Sequence, residues 1–331
     1  MATARFSERT SVGLTIFERL GGLAYRRRWR IVAAWAVILL IALPLAPRAS
    51  GALHAGGFNL ADLESSRARA ELHDELGIPE SALVLVYSST TARAGEPRFE
   101  SATAGARSAI ATAPYVGRVL SYELAPDQVS ADRLTAYDVV LLDIGPDDSP
   151  NALPGIQQRL AELPAGPVSV ELAGGPAFYG DIQTVSEDDL RKSEFVSLPL
   201  AGLALLLVFG SVIAAGVPLA VGGAAVLVSL AAIFVVASFT EMSIFVLNLA
   251  TLLGLGLGVD YSLLMTSRFR EELALRPDGP DRVAEAVRIT VATAGRAVFF
   301  TGLTVLLGLL GLVLFEFMIL RSVGIAGAIV V

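Results

Sequence analysis

The sequence predicts an α-helical membrane protein with an α/β domain inserted after the first membrane span. Hydrophobic residues make up 54% of the 331 residues and charged residues only 17%, which is more apolar than an average soluble domain. Apolar runs of near-spanning length lie before residue 48 and after residue 194. The segment between them is polar and alternates short helical and strand patterns. These three observations define the fold class.

The composition also excludes several kinds of site. The chain has no cysteine and only two histidines, His54 and His73, so disulfides, thiolate metal centres and cysteine catalysis are excluded. A multi-histidine metal site is not expected either. With a formal charge of −7, the chain does not offer the basic surface that nucleic acids require. We therefore expect no cofactor, no metal and no nucleic-acid partner.

An arginine-rich N-terminal segment, residues 1–30, precedes the first apolar run. That run, residues 31–47, is predicted to stay in the protein as transmembrane helix 1. A cleaved signal peptide is the alternative, but the leader is long and no convincing small-x-small cleavage site precedes Ser50. The arginine cluster predicts a cytoplasmic N-terminus by the positive-inside rule.

Residues 48–192 are predicted to form an extracytoplasmic α/β domain, because the first span would end outside. The predicted elements are a helix at 66–76, then a strand at 82–88, a helix at 98–112, strands at 116–122 and 136–144, a helix at 151–163 and a strand at 168–172. After the first helix they follow a β-α-β-β-α-β order, the split βαβ plan of ferredoxin-like domains. The acidic runs Asp147-Asp148 and Glu187-Asp188-Asp189 could bind a cation, but a solvated turn and an exposed helix start are favoured.

Residues 195–331 are predicted to hold transmembrane helices 2 to 6. The predicted spans are 195–212, 217–239, 244–267, 297–315 and 318–331, with a turn at 214–216 and a cytoplasmic loop at 268–296. The loop contains a short amphipathic helix, residues 280–288, that is expected to lie against the bilayer surface. The sixth run is shorter than the about 20 residues that an untilted crossing needs. We therefore interpret the chain as the N-terminal portion of something longer.

The fourth span carries the strongest candidate for function, Asp260. Small residues lead up to it at helical spacing (Ala250, Gly254, Gly258), and Gly256 shares its face. Glycine at that spacing lets a neighbouring helix approach closely. Burial favours the neutral form of a carboxyl group, so Asp260 could take up and release a proton near neutral pH, with Tyr261 donating a hydrogen bond to an ionised partner.

The functional hypothesis for Asp260 and Tyr261 is a proton relay. The alternatives are a structural polar lock between helices and an acid near enough to the cytoplasmic interface to stay hydrated. Hydroxyl and amide side chains could line the same path, although hydroxyls in membrane helices often satisfy their own backbone. These possible lining residues are Asn248, Thr251 and Ser262 on the fourth span and Thr301 and Thr304 on the fifth.

Two stretches of this region match a known pattern: Gly256-Leu-Gly258-Val-Asp260-Tyr261-Ser262, and Ser267-Arg268-Phe269-Arg270-Glu271-Glu272. Weaker support comes from Gly174-Gly175-Pro176 and Gly295-Arg296-Ala297. In these residues, and in the order of one helix, a soluble domain and a block of helices, the chain resembles the MMPL family of the resistance–nodulation–division (RND) transporter superfamily. The resemblance covers nearly all of the sequence.

The resemblance implies the N-terminal half of an RND-type transporter, with a porter domain at 48–192, in the bacterial plasma (inner) membrane. It implies proton-driven export of lipids or hydrophobic drugs. In family members an Asp-Tyr pair on the fourth helix meets an equivalent pair on the tenth, and Asp260 and Tyr261 match the first pair. The second pair has no counterpart here. The implied partners are therefore a missing C-terminal half or a second copy, besides a hydrophobic or lipid substrate, protons and membrane lipids.

Two other functions remain open at this point. The chain could be a non-transporting RND-like membrane scaffold or translocation auxiliary, whose soluble domain docks a partner. The stretch from Gly256 to Asp260 is also similar to the GxGD signature of intramembrane aspartyl proteases. It carries one residue too many, however, and an aspartyl site needs a second carboxylate, which no other predicted span supplies.

Overall fold

The computed structural model describes residues 16–54, 56–57 and 62–331. Its helices are α1 (residues 16–26), α2 (Arg28–Leu45), α3 (Glu64–Leu76), α4 (Pro97–Ile110), α5 (Leu153–Ala161), α6 (Gly175–Phe209), α7 (Val212–Ala237), α8 (Val246–Ala274), α9 (Arg282–Thr290), α10 (Arg296–Leu310) and α11 (Met318–Val330). Its strands are β1 (Ser81–Ser88), β2 (Val116–Leu120), β3 (Thr135–Leu142) and β4 (Ser169–Ala173).

The chain divides into two compact units. The soluble unit comprises His54–Asp189 and Glu316–Ile319. The membrane unit comprises the chain up to Leu53, Leu190–Phe315 and Leu320–Val331. The division falls within α6, and each unit has its own hydrophobic core.

The soluble unit is built on a four-stranded antiparallel sheet with the order β2-β3-β1-β4. Together with α4 and α5 this gives the predicted β-α-β-β-α-β order of a ferredoxin-like domain, so the predicted fold class is confirmed. Side chains alternate between the two faces of a strand, and β1 accordingly buries Leu83, Leu85 and Tyr87 completely. These residues share a core with Phe99 of α4 and Ile156 of α5.

The membrane unit contains the apolar helices. Among the described residues, four helical stretches are long and apolar enough to cross a membrane, namely Arg28–Arg48, Val212–Ala237, Val246–Ala274 and Arg282–Leu314. Phe195–Phe209 and Met318–Val330 are shorter apolar helices. The largest core of this unit joins Ile233 of α7, Val246 and Ala250 of α8, and Ala326 of α11.

The turn after the second predicted span lies earlier than the sequence suggested. We predicted it at residues 214–216, but α7 already begins at Val212. Gly210 adopts a left-handed conformation with φ of 63°, and the Ser211 hydroxyl accepts a hydrogen bond from the Ala214 backbone N–H. Glycine tolerates a positive φ, and serine is a favoured helix N-cap. These two residues therefore end α6 and start α7.

Other helices are longer than predicted. Helix α6 begins at Gly175, just after Gly174 with φ of 100°, so the acidic run at 187–189 lies inside a helix rather than at its start. Helix α8 continues to Ala274 beyond the predicted end of the fourth span. A π-helical segment, Val291–Gly295, joins α9 to α10, so the predicted loop helix and the fifth span form one helical stretch.

Candidate functional site

Helix α8 packs against α7 through its small residues. A Cβ atom on Gly258 would lie only 2.7 Å from the Gly222 Cα atom, and one on Gly254 would lie 3.1 Å from a methyl group of Val226. Ala250 is fully buried one turn earlier. Since these small residues recur every four positions, they form one face of α8 on which the backbone of α7 approaches closely.

The opposite face of α8 is uncovered in the described part of the chain. Leu252, Gly256, Asp260 and Leu264 also recur every four residues, and all are exposed. A Cβ atom on Gly256 would meet no atom within 4 Å. The structure thus places Gly256 beside Asp260 but away from α7. Within the described residues the Asp260 carboxylate has no hydrogen-bond or ion-pair partner.

Tyr261 faces a different side from Asp260, because successive helical residues are about 100° apart. It lines a cavity of about 410 Å³ with Gly254, Gly258 and Ser262 of α8, Val221 of α7 and Val330 of α11. Its hydroxyl oxygen is buried and makes no hydrogen bond within the described structure. Asp260 does not line this cavity, so the two predicted relay groups do not face the same cavity.

The possible lining residues fall into different settings. Ser262 is buried and lines the cavity beside Tyr261. Thr251 and Thr304 each donate a hydrogen bond to the carbonyl oxygen four residues earlier, at 2.9 Å. That is the local backbone role that hydroxyls often take in membrane helices. Asn248 is partly buried, whereas Thr301 is exposed.

The end of α8 beyond Asp260 holds a buried acid that sequence reasoning missed. The Glu272 side chain is only 7% exposed, and its two oxygens each lie 2.5 Å from a guanidinium nitrogen, one of Arg268 and one of Arg276. Arg268 Nε also lies 3.3 Å from the hydroxyl oxygen of Thr293 in the π-helical segment. The spacing of four residues on either side of Glu272 was the available signal. From the sequence, these charges indicated only the start of a cytoplasmic loop and part of the family pattern.

Arg270 ties the same end of α8 to α6. Its Nη1 donates a hydrogen bond of 2.9 Å to the carbonyl oxygen of Phe209. The guanidinium carbon also lies 5.4 Å from the centre of the Phe209 ring, within reach of a cation–π interaction. Because Phe209 is the last residue of α6, its carbonyl group has no partner within that helix, and Arg270 supplies one.

Arg321 is a second residue that the sequence analysis passed over. It lies near the start of α11, and its buried Nε atom has no hydrogen-bond partner in the described part of the chain. Its neighbour Ser322 is fully buried and accepts a hydrogen bond of 3.0 Å from the Ser243 backbone N–H. Both polar residues lie in the apolar run 318–331, which the sequence analysis interpreted only as the sixth span.

One buried polar network of the soluble unit is centred on Asp138 and is fully paired, whereas the buried Ser81 Oγ and Gln128 Oε1 atoms have no hydrogen-bond partner among the described residues. The Asp138 carboxylate accepts hydrogen bonds from the Tyr87 hydroxyl at 2.8 Å and the Tyr122 backbone N–H at 2.9 Å, and Arg107 Nη1 lies 3.5 Å away. Burial, together with the Asp138 charge, raises the pKa of Tyr87. Burial also raises the pKa of Tyr122, to about 12. A fully paired buried network of this kind fixes the packing of the sheet.

The acidic pair considered for a cation is engaged in the local turn. The Gly57 backbone N–H donates to Asp147 Oδ1 at 3.0 Å, and His54 Nδ1 lies 2.7 Å from Asp148 Oδ1. Among the described residues, no group of three or more histidine, aspartate and glutamate side chains could hold a metal ion.

The geometry defines a class of protein: a multi-pass α-helical membrane protein whose soluble unit has a ferredoxin-like sheet. Comparison with known proteins gives the family. Residues 60–331 match the sequence model of the MMPL family, and the chain belongs to that family, which is part of the RND superfamily. The resemblance in the sequence analysis is therefore confirmed.

Curated relatives align along almost the whole chain. A membrane protein of Streptomyces coelicolor is 34% identical over 96% of this chain and 44% of its own length. The heme uptake protein MmpL11 of Mycobacterium tuberculosis is 30% identical over 94% of this chain and 32% of its own. The mycolic acid-containing lipids exporter MmpL11 of Mycolicibacterium smegmatis is 28% identical over the same shares. The chain therefore spans less than half the length of these relatives.

The chain is also similar to a solved structure. It is SecDF of Thermus thermophilus, a translocon-associated membrane protein, which matches at 16% identity with a TM-score of 0.46. That match covers 92% of this chain and 35% of the SecDF chain.

Proposed function

We propose that this chain is the N-terminal portion of a proton-driven exporter of lipids or other hydrophobic compounds in the bacterial inner membrane. Asp260 is the proton-carrying group, and Tyr261, which faces a different side of α8, donates its hydrogen bond to an ionised group on a neighbouring helix. The N-terminus and the loop after α8 lie in the cytoplasm, and the soluble unit lies outside.

The proposal depends above all on the position of Asp260. It lies within a helix that is long and apolar enough to cross a membrane, on a face that it shares with Leu252, Gly256 and Leu264. A charged side chain at mid-bilayer costs on the order of 3 kcal/mol or more, and such residues usually mark ion or proton paths. An uncovered carboxylate among leucines is therefore expected to face protein or water in the assembled transporter rather than lipid.

The additional sequence of the relatives indicates what would cover this face. Each contains more than twice the sequence aligned with this chain, and repeat-built transporters place coupling sites at the interface of their halves. In our proposal a second half, or a second copy of this chain, packs against the face of Asp260. It brings the polar partner that the described residues lack.

The glycine face of α8 has a supporting role in this arrangement. Because Gly254 and Gly258 hold α7 at close range, the rotation of α8 is fixed and Asp260 points away from α7. The ties from Arg270 to α6 and from Arg268 to Thr293 fix the far end of the helix. Together these contacts orient the carboxyl group toward its expected partner.

The experiment compares proton movement in inverted membrane vesicles that contain the assembled transporter, with a pH-sensitive dye as the reporter. Asp260→Asn should abolish substrate-dependent proton movement, because the amide cannot take up the proton. Glu271→Gln is the matched control, since it makes the same acid-to-amide change on α8 at a side chain that is 61% exposed. It should leave proton movement unchanged.

Transport that continues at full rate in Asp260→Asn would contradict the relay. The absence of proton movement with the unaltered protein would favour a non-transporting scaffold instead. The substrate is tested in the same vesicles by adding either mycolate-type lipids or haem, the compounds that the names of the two MmpL11 relatives indicate. We expect lipid, and not haem, to stimulate proton movement.

A further inference from the structure

Helix α1, immediately before the first membrane span, carries an exposed apolar stripe. Ile16, Leu20 and Leu23 are 59%, 50% and 45% exposed. Their spacing of four and three residues puts them on one face of the helix. Such a stripe is too regular to be the scattered apolar exposure that every protein surface shows.

The other side of α1 is docked against the membrane unit. A Cβ atom on Gly21 would lie 2.9 Å from the Arg288 Cα atom, so the backbones of α1 and α9 are in contact. The Glu18 carboxylate lies 3.3 Å from Arg288 Nη1, and the Phe17 ring lies 5.9 Å from the Phe299 ring of α10. These contacts fix the rotation of α1 and leave the stripe facing outward.

Positive charge borders the stripe. Arg19 and Arg26 are exposed, and neither has an ion-pair partner among the described residues. The nearby acid, Glu18, is already paired with Arg288. The exposed side of α1 therefore combines an apolar stripe with unpaired arginines, the composition of a helix that lies in the interface of an anionic membrane.

The direct connection from α1 to α2 places the apolar stripe of α1 at the bilayer surface. Only Arg27 separates α1 from α2, and α2 belongs to the stretch Arg28–Arg48, which is long and apolar enough to cross a membrane. We propose that α1 lies in the membrane interface, with Ile16, Leu20 and Leu23 inserted and Arg19 and Arg26 bound to anionic lipid headgroups. Through Gly21 and Glu18 the same helix holds α9, so the lipid surface is joined to the α8–α9 end of the membrane unit. This inference does not depend on a proton relay.

The test uses the absence of cysteine in the chain, which makes single labelling sites clean. Leu20→Cys in the 331-residue chain is labelled with an environment-sensitive fluorophore and reconstituted in vesicles of phosphatidylcholine with phosphatidylglycerol, or of phosphatidylcholine alone. In the anionic vesicles we expect quenching by nitroxides attached to the lipid chains and protection from aqueous iodide. Leu124→Cys is the control, since Leu124 is 88% exposed in the soluble unit. Its label should stay open to iodide in both vesicles.

Charge variants test the headgroup contact. In the anionic vesicles each of Arg19→Gln and Arg26→Gln should lower the ratio of inserted to exposed label at Leu20→Cys about fivefold, since one basic residue near an anionic surface contributes about that factor. Both arginines are exposed, so neither change should unfold the chain.

Two results would overturn the proposal. A label at Leu20→Cys that stays open to iodide and unquenched by lipid nitroxides in the anionic vesicles would show that the stripe faces water. A label that is protected from iodide but not quenched by lipid nitroxides would show that protein, not lipid, covers it.

Discussion

Replacing Gly258 with alanine should destabilise the membrane unit, whereas the same replacement at Gly256 should not. A Cβ atom on Gly258 would lie 2.7 Å from Gly222 Cα and 3.4 Å from Gly222 N. Both are backbone atoms, which cannot rotate aside as a side chain can. The Cβ atom on Gly256 would meet nothing within 4 Å. The two substitutions are chemically identical and lie about half a turn apart on one helix.

The magnitudes follow from two opposing effects. Overpacking at a close contact costs about 1–3 kcal/mol, while glycine to alanine in a helix interior gains about 0.5–1 kcal/mol. Gly258→Ala should therefore lower the free energy of unfolding by about 1 kcal/mol (range about 0–2.5), which is the overpacking cost less the propensity gain. Gly256→Ala should raise it by about 0.5–1 kcal/mol, because only the propensity gain applies.

The assay is unfolding of the 331-residue chain in mixed micelles by increasing SDS, followed by far-UV circular dichroism. The free energies of unfolding of the two variants should differ by about 2 kcal/mol, which corresponds to a roughly 30-fold difference in the ratio of folded to unfolded protein. The assay can resolve a difference of this size. If the two variants unfold at the same SDS fraction, the backbone of α7 does not approach α8 closely at Gly258. If Gly256→Ala is the more damaging variant, α8 presents its opposite face to α7.

Two further predictions concern a buried acid and a tyrosine. Glu272→Gln should lower the free energy of unfolding by about 3 kcal/mol, the low end of the cost of breaking a buried ion pair, because Arg268 and Arg276 are 35% and 20% exposed. The exposed control Glu271→Gln should change it by at most about 0.5 kcal/mol. Equal SDS midpoints for the two variants would refute this. Because burial raises the pKa of Tyr122 from 10.0 to about 12, the unfolded state ionises first. The free energy of unfolding should therefore be unaffected below pH 10 and fall between about pH 10 and 12. If a Tyr122→Phe variant loses the same amount of stability at alkaline pH, measured by circular dichroism, then Tyr122 does not cause the loss.

The soluble unit could be predicted from local patterns, most clearly in β1, where buried residues alternate with more exposed ones. In β1, Leu83, Leu85 and Tyr87 fall on one face and are all fully buried, as a period of two requires. Helix ends were harder. The acidic run at 187–189 suits an exposed helix interior as well as a helix start, and only the backbone shows that α6 begins at Gly175.

The predicted position of the turn between the second and third spans was wrong for a related reason. Both Gly210-Ser211 and the predicted Ala214-Ala215-Gly216 are small and weakly polar, so composition does not separate them. The left-handed φ of Gly210 and the Ser211 cap decide the matter. Such backbone states become clear only when the helices on both sides are in place.

The candidate site was predicted in part. Helical periodicity alone separates Asp260 and Gly256 from Gly254 and Gly258, but it does not say which of the two faces meets α7. That depends on where the small residues of α7 lie, and Gly222 is the one opposite Gly258. The burial of Glu272 was hidden for a similar reason. A charged run after a membrane span looks the same whether the acid is solvated or enclosed by Arg268 and Arg276.

The two faces of α8 constrain whatever covers Asp260. Leu252 and Leu264 are exposed on either side of it, so the covering element must be apolar at both ends and polar in the middle. Gly256 lies one turn before Asp260, about 6 Å along the helix axis, and its lack of a side chain allows a backbone to approach there. Gly256→Ala should therefore raise the stability of the isolated chain slightly and yet reduce proton movement in the assembled transporter, because the added methyl group holds the partner of Asp260 away. Unchanged proton movement in the inverted-vesicle assay would mean that no helix packs closely at Gly256. The carboxyl group would then have to reach its partner through water.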